Sequence, residues 1–430
     1  MYSNGQLDFS DSAALAAYRN ARLAESLQHA ANHSAFYRKL FGSAGVDPAK
    51  IRSTDDLKLI PPTTKRDLQL FNSDFFCVPP KRIAEYTSTS GTLGAPVVVP
   101  LSENDLQRLA FNEYLSFVKM GLSDEDVLQL VLTLDKQFMA GMAYYHGARR
   151  IGAATVRSGP GVPAMQWDTV FRLGTTALAA VPSFVVKLLD YADANGINYA
   201  GSKVKRILCI GENIRGADLS LNLIGQKIVS RWNVALHSTY ASTEMQTAFT
   251  ECSAGAGGHV HPELLFAEIL DDSDNPLPDG ETGELAVTLF GVEAMPLIRY
   301  RTGDLCRIVS EPCKCGRTVS RISPIVGRKG QMVKLKGTTL YPPAIFEILN
   351  GCEEIEDYAV EVSTGELGTD ALTVYLALKP DGSLAAAESH LRSALRVRPE
   401  VKACPLAELR DMQCSEASRK TSRFIDRRTQ

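Results

Sequence analysis

ALAAVPSFVVKLLDYADANGINYAGSKVKRILCIG, residues 177–211, reads as strand, helix, strand. ALAAV (177–181) and KRILCIG (205–211) are short unbroken apolar runs, the pattern of strands buried on both faces. PSFVVKLLDYADANG (182–196) has helical character and ends on Gly196. The alternation extends from about residue 80 to 250, with DVLQLVLTL (126–134) and NVALHS (233–238) as further buried strands. Strands alternating with helices imply an α/β fold, its parallel sheets sandwiched by helices.

The flanks differ. Residues 12–41 have the apolar spacing of a helix, through Leu15, Tyr18, Leu23, Leu27 and Phe36. Residues 260–310 are strand-rich (LLFAEIL, ELAVTLF, DLCRIV), which predicts a β-rich subdomain. After Gly327, QMVKLKGTTLYP resembles a hairpin, EDYAVEV and LTVYLAL alternate as strands, and LAAAESHLRSALRVR is an amphipathic helix. This predicts a small α+β unit, with GRKG (327–330) at the boundary: a large domain over 1–328 and a small one over 329–430.

The 430 residues carry a net charge of −3, with 45% hydrophobic and 22% charged residues. That balance gives no electrostatic reason to expect a nucleic-acid or membrane partner. No apolar run approaches the roughly 20 residues of a membrane span. The N-terminal MYSNGQLDFSDS lacks the pattern of a secretory signal, and nine cysteines are an odd number. Both predict a cytoplasmic protein with free thiols.

Five motifs carry chemistry. YTSTSGTLGAP (86–96) is a Ser/Thr- and Gly-rich loop before VVVP, fit to wrap a polyphosphate with backbone N–H groups and hydroxyls. It is not GxxxxGK[ST], because no Lys follows Gly94. GEN (211–213) ends an apparent parallel strand, where ligands of open α/β sheets sit. YASTE (240–244) reads as a loop: Tyr240 to stack on a purine, Thr243 to donate to a phosphate, Glu244 to hold Mg²⁺. Asp304, in YRTGD (300–304), suits two ribose hydroxyls. KTSRFID (420–426) places Lys420 and Arg423 near the C-terminus. Singly, each is also a common turn, cap or tail.

Together, in this order, they resemble the adenylate-forming enzymes, and within them the phenylacetate–CoA ligase family. The resemblance covers nearly the whole chain, and its most specific segments are AMPLIRYRTGDL (294–305), CKCGR (313–317) and the glycine-rich loop. It implies a two-step reaction. A carboxylate attacks the α-phosphate of ATP to give an acyl-AMP and pyrophosphate, and the thiol of CoA then takes the acyl group. It also implies roles. Lys420 matches the catalytic lysine, with Thr243 and Glu244 beside it. Ser90, Gly91, Thr92 and Gly94 match the pyrophosphate loop. Gly211, Glu212 and Tyr240 would enclose adenine, Asp304 the ribose, and Arg328 would reach the nucleotide. A mobile small domain and a homodimer are further family expectations.

Three positions depart from the family pattern. Gly330 replaces a usually acidic pivot, Ala95 a loop lysine, and Ala241 a glycine.

Cys313-Lys-Cys315, with Cys252, His259 and His261 in ECSAGAGGHVHPE, can make a tetrahedral structural zinc site. Spacing alone leaves unconnected thiols equally open. Some members of the family carry zinc at matching positions, which implies Cys252, His259, Cys313 and Cys315 as ligands, with His261 in reserve. The acid pocket is expected among Phe138, Met142, Tyr145, Phe184, His237 and Met245. These suit a flat, apolar, aromatic carboxylate. Two other readings are an adenylating enzyme with a non-CoA acceptor (amine, carrier protein or cofactor) and a non-catalytic adenylate-binding protein.

Overall fold

The structure, a computed structural model, describes residues 6–89, 96–335, 338–365, 370–395, 399–414 and 422–428. The expected loop residues Ser90, Gly91, Thr92 and Gly94, and Lys420, lie outside them. The described residues form two compact units, 6–89 with 96–325, and 326–428.

The large unit opens with α1 (Ser12–His33) and α2 (Ala35–Ala44). The single helix expected over 12–41 is broken at Ser34, whose extended backbone (φ −89°, ψ 127°) ends α1. Its hydroxyl then caps α2 by accepting from the Tyr37 amide at 3.2 Å. A short helix α3 (Lys65–Leu70) starts on a Thr64–Asp67 capping box. The strands β1 (Ile83–Ser88) and β2 (Val98–Ser102) form an antiparallel ribbon that leads into α4 (Glu103–Lys119).

The alternating region follows as read. It runs β3 (Val127–Val131), α5 (Met139–Ile151), β4 (Ala154–Arg157), α6 (Pro163–Leu173), β5 (Ala177–Ala180), α7 (Pro182–Ala194), β6 (Arg206–Cys209), α8 (Leu223–Val229) and β7 (Ala235–Ser242). These strands pair in parallel in the order β7-β6-β5-β3-β4. The order reverses between β3 and β5, which makes the C-terminal ends of those strands the switch point where such sheets bind ligands. Period-2 alternation sorts the strand residues to opposite faces. Leu128, Leu130, Ala177, Ala179 and Leu208 face one helical layer, and Val131, Leu178, Ala180, Ile207 and Cys209 face the other. Both faces are thus covered, which explains the unbroken apolar runs.

Beyond β7 the sheet continues antiparallel through β8 (Thr247–Thr250) and β9 (Gly258–His259). A separate antiparallel sheet joins β10 (Leu265–Leu270), β11 (Gly283–Leu289) and β12 (Tyr300–Cys306). Short strands β13 (Ile308–Val309) and β14 (Arg321–Ile322) return to β9.

The second unit contains β15 (Gly327–Arg328), β16 (Val333–Leu335), β17 (Thr338–Leu340), α9 (Pro342–Asn350), β18 (Ile355–Thr364), β19 (Asp370–Leu378), α10 (Leu384–Leu395), β20 (Glu400–Ala403), α11 (Leu406–Gln413) and β21 (Phe424–Asp426). Its main sheet is ordered β20-β19-β18-β21, with the last strand parallel to β18. A core of Ile345, Leu349, Val360, Val374, Leu376 and Leu391 lies under it. Arg423 is fixed beside β21 by Asp357, at 3.0 Å, and by the face of Tyr358.

Helices α4 and α5 approach closely because Gly147 has no Cβ. One built there would lie 2.3 Å from the Cβ of Glu113. Glu113 is buried in this contact and accepts from Asn112 at 2.8 Å. Burial raises its pKa from 4.5 to about 8. The folded chain therefore keeps a proton that the unfolded chain releases near pH 4.5. The stability this contributes is complete below pH 4.5 and is lost as pH rises to about 8. Glu113→Gln should flatten the fall of Tm across that window. An unchanged slope would contradict the assignment.

Candidate active site

The C-terminal ends of the parallel strands gather most of the described site residues. Gly211 follows β6 in the left-handed region (φ 77°), and a Cβ there would meet no atom within 4 Å. The turn needs glycine for its backbone, and the space beside it is open. Glu212 does something the sequence did not suggest. Its two carboxylate oxygens accept from the Ser183 amide and hydroxyl, each at 2.8 Å. It caps the first turn of α7, which has no side-chain cap of its own. The Glu212 carboxylate is thereby engaged with α7.

Tyr240 lies on β7, not in a loop as read, because β7 runs on to Ser242 to pair with β8. Asp304 is likewise within β12. Read singly, these residues have separate roles, yet the Tyr240 hydroxyl donates to Asp304 Oδ2 at 2.6 Å. Burial, reinforced by that carboxylate, pushes the phenol pKa up, so Tyr240 stays a neutral donor. Phe249 packs on its ring at 5.9 Å. Tyr240→Phe keeps the ring and deletes the donor to a nearly buried carboxylate. A hydrogen bond to a charged group is worth about 1.5–3 kcal/mol, so KM for ATP should rise roughly ten-fold or more, measured by pyrophosphate release. An unchanged KM would detach this pair from the nucleotide.

The turn after β7 holds Thr243 and Glu244. Glu244 is nearly buried and sits 3.3 Å from the ammonium of Lys65, at the start of α3. Sequence reasoning missed Lys65, because nothing local links residues so far apart. The turn closes on Gln246, left-handed at φ 49°. Its carbonyl accepts from the buried Arg108 at 2.7 Å, and that guanidinium also reaches the Phe290 and Leu264 carbonyls and the Thr247 hydroxyl. The Gln246 amide is buried with no hydrogen-bond partner among the described residues. Lys136 and Gln137, just past β3, are also left-handed, at φ 58° each. Three of the six left-handed non-glycine residues described thus lie at the switch point and the turn, and the others are Leu219, Asp274 and Arg299.

The expected acid-pocket residues belong to different packing clusters. Phe138 and Tyr145 pack on one face of the parallel sheet and Phe184 on the other, because alternate strand residues face opposite layers. Met245 belongs to the core that includes Met139 and Ala143. His237 is buried in β7 with Nδ1 3.3 Å from the Glu251 carbonyl, and burial lowers its pKa to about 4, so it is a neutral core residue. Met142 lines a small cavity with Met139 and His146. Arg328 is half-buried in β15 of the second unit.

Cys252, His259, Cys313 and Cys315 converge, with one donor atom from each within 4.8 Å of all the others. Cys252 and Cys313 sulfurs are 3.6 Å apart, and Cys315 Sγ lies 3.5 Å from His259 Nε2. Donors around a tetrahedral zinc stand about 3.5–3.8 Å apart. Burial lowers the His259 pKa to about 3, which keeps the imidazole in its ligating neutral form. His261 instead places Nδ1 3.0 Å from Asn112 Oδ1 and is not in the cluster.

The family model for AMP-binding enzymes matches residues 18–292. The chain belongs to the AMP-binding enzyme family. This AMP-binding enzyme is 29% identical over 346 residues to a phenylacetate–coenzyme A ligase of Thermus thermophilus, covering 79% of this chain and 76% of that one. It is 28% identical over 413 residues to the phenylacetate–coenzyme A ligase of Escherichia coli, covering 94% and 92%. Among solved structures, 2-hydroxyisobutyryl-CoA ligase in the postadenylation state, in complex with R3-HIB-AMP, superposes with a TM-score of 0.83 at 22% identity. It covers 97% of this chain and 90% of that one, a likeness of fold. The enzyme is an AMP-forming acid–CoA ligase: it activates a carboxylic acid with ATP as an acyl-adenylate and passes the acyl group to CoA. Among the described residues no helix is long and apolar enough to cross a membrane.

Proposed function

We propose that the acid is aromatic, of the arylacetate kind, and that the residues singled out above carry its activation. The observation that carries the reading is the 2.6 Å pairing of Tyr240 with Asp304 just beyond the parallel strands, beside the Thr243–Gln246 turn. Phe138, Met142 and Tyr145, on one side of the sheet, supply apolar and aromatic surface, and the phenylacetate–CoA ligases similar to this chain point to the same acid class.

A carboxylate is a poor acylating agent because oxide would have to leave. One carboxylate oxygen attacks the α-phosphorus, the bond to the β-phosphate breaks, and pyrophosphate departs. The CoA sulfur then attacks the acyl carbon, its proton is lost, and the bond to AMP breaks. Charge grows on the α-phosphate during the first attack, and Lys420 is the cation assigned to it. Thr243 donates to the same phosphate. Ser90, Gly91, Thr92 and Gly94 receive the pyrophosphate, and Gly211, Glu212, Tyr240, Asp304 and Arg328 hold the nucleoside. Glu244 presents one carboxylate, already balanced by Lys65, and fits Mg²⁺ only together with the phosphates. Mg²⁺ would neutralise phosphate charge when bound.

The four converged thiol and imidazole donors fit a structural zinc, which would tie β9 to the 313–315 segment. A large domain over 1–328 and a small domain over 329–430 that swings about Gly330 between the half-reactions, a homodimer and a cytoplasmic location complete the proposal.

The test is pyrophosphate release across aromatic and aliphatic acids, with and without CoA. Arylacetates should stimulate release most, and AMP formation should need CoA for sustained turnover. Preference for a short aliphatic acid, or CoA-independent turnover with another acceptor, would overturn it.

A further inference from the structure

We propose that the preferred acid carries a small hydrogen-bond-donating ring substituent, a hydroxyl or amino group, read by Glu85 and His146. The inference rests on the aromatic-acid reading and adds the substituent to it.

The observation is a small cavity between the β1–β2 ribbon, α4 and α5. Glu85 and Thr87 reach it from β1, Leu109 from α4, and Met139, Met142 and His146 from α5. The spacing explains the lining. Residues 85 and 87 share one face of a strand, and 139, 142 and 146 one face of a helix. The cavity has room for about one water-sized group. That is too little for an aromatic ring and enough for a single substituent atom.

Most of the wall is aliphatic or thioether. The Thr87 hydroxyl is engaged, donating to the Val99 carbonyl at 3.1 Å. That leaves two polar ends. Burial raises the Glu85 pKa, against the opposing pull of the nearby His146. Neither side chain has a hydrogen-bond partner among the described residues. A carboxylate accepts from a hydroxyl or amine and repels an anionic substituent, and an imidazole can complete the bond from the other side.

The cavity shares Met142 with the acid-pocket residues proposed above. Met139 packs in the same core as Met245, next to Glu244. The strained Lys136–Gln137 backbone leads into α5, and Ser88 of β1 donates to the Gln137 carbonyl at 3.1 Å. A site that hydrogen-bonds a substrate hydroxyl or amine rejects the analogue lacking it by up to about 10⁴-fold, because its buried polar groups are then left unpaired.

The experiment compares kcat/KM for pyrophosphate release with phenylacetate and with its ring-hydroxy and ring-amino isomers. It uses the parent enzyme, Glu85→Leu, Glu85→Gln and His146→Leu. At least one substituted isomer should exceed phenylacetate by about ten-fold or more, and each variant should lower that ratio. Glu85→Gln, an isostere, keeps the test open if Glu85→Leu does not fold. Phenylacetate as the best substrate, or a ratio unmoved in the folded variants, would overturn the inference while the aromatic reading stands. Release with aliphatic acids alone would overturn both.

Discussion

Lys420→Ala should lower pyrophosphate release by about 10²–10³-fold, the cost of removing one preorganised charge from a transition state. As the oxygen of the acid closes on the α-phosphorus, negative charge spreads over the non-bridging oxygens. No covalent work is asked of the protein, so a placed cation is worth more than any other single group. The segment YTSTSGTLGAP carries no lysine or arginine of its own, which sharpens the dependence. Acyl transfer from a preformed acyl-adenylate to CoA needs no attack on phosphorus, and it should fall far less in the same variant. Equal loss in both half-reactions would mean that Lys420 holds the protein together rather than acting on the phosphate. No loss in either would place the catalytic cation elsewhere, with Lys65 the first to examine.

Removing the metal ligands should have the second large effect. The parent protein should contain about one equivalent of zinc, and Cys313→Ser/Cys315→Ser should contain none. A ligand at a thousand times its Kd stabilises the folded state by about 4 kcal/mol, so Tm should drop by several degrees in the variant and in chelator-treated parent. Added zinc should rescue the parent alone. A variant with the parent's Tm and metal content would show that the thiols merely pack together. The cluster surrounds no reacting group, so the loss of activity should follow the loss of folded protein.

Much of this was legible in the chain. Strands buried on both faces announce themselves as apolar runs, which is why β3, β5 and β6 fall inside the segments read for them. The convergence of Cys252, His259, Cys313 and Cys315 was expected from the family resemblance, since their spacing alone left unconnected thiols equally open. What was missed depends on pairing across distance. Tyr240 looked like a loop residue because β8, which extends β7, has no local sign that it will pair back. The Tyr240–Asp304 bond joins strands of different sheets, and the Lys65–Glu244 contact joins a short N-terminal helix to a turn. The Glu212 cap on α7 was missed because helix capping from the end of another strand has no sequence spacing. The helix expected over 12–41 was broken by one serine whose hydroxyl serves the next helix better than continuation would. Sequence could not show that Phe138 and Tyr145 pack on one face of the sheet and Phe184 on the other, because the side a helix covers is set by the strand order.

The central claim is that the acid's own oxygen bonds to the α-phosphorus before CoA takes the acyl group. Supplying an acid labelled with ¹⁸O in its carboxylate, with ATP and CoA, and weighing the AMP produced tests it directly. The reaction described leaves one heavy oxygen in AMP, because the bond broken by the thiol lies between the acyl carbon and that oxygen. AMP of ordinary mass, with thioester formed, would contradict it.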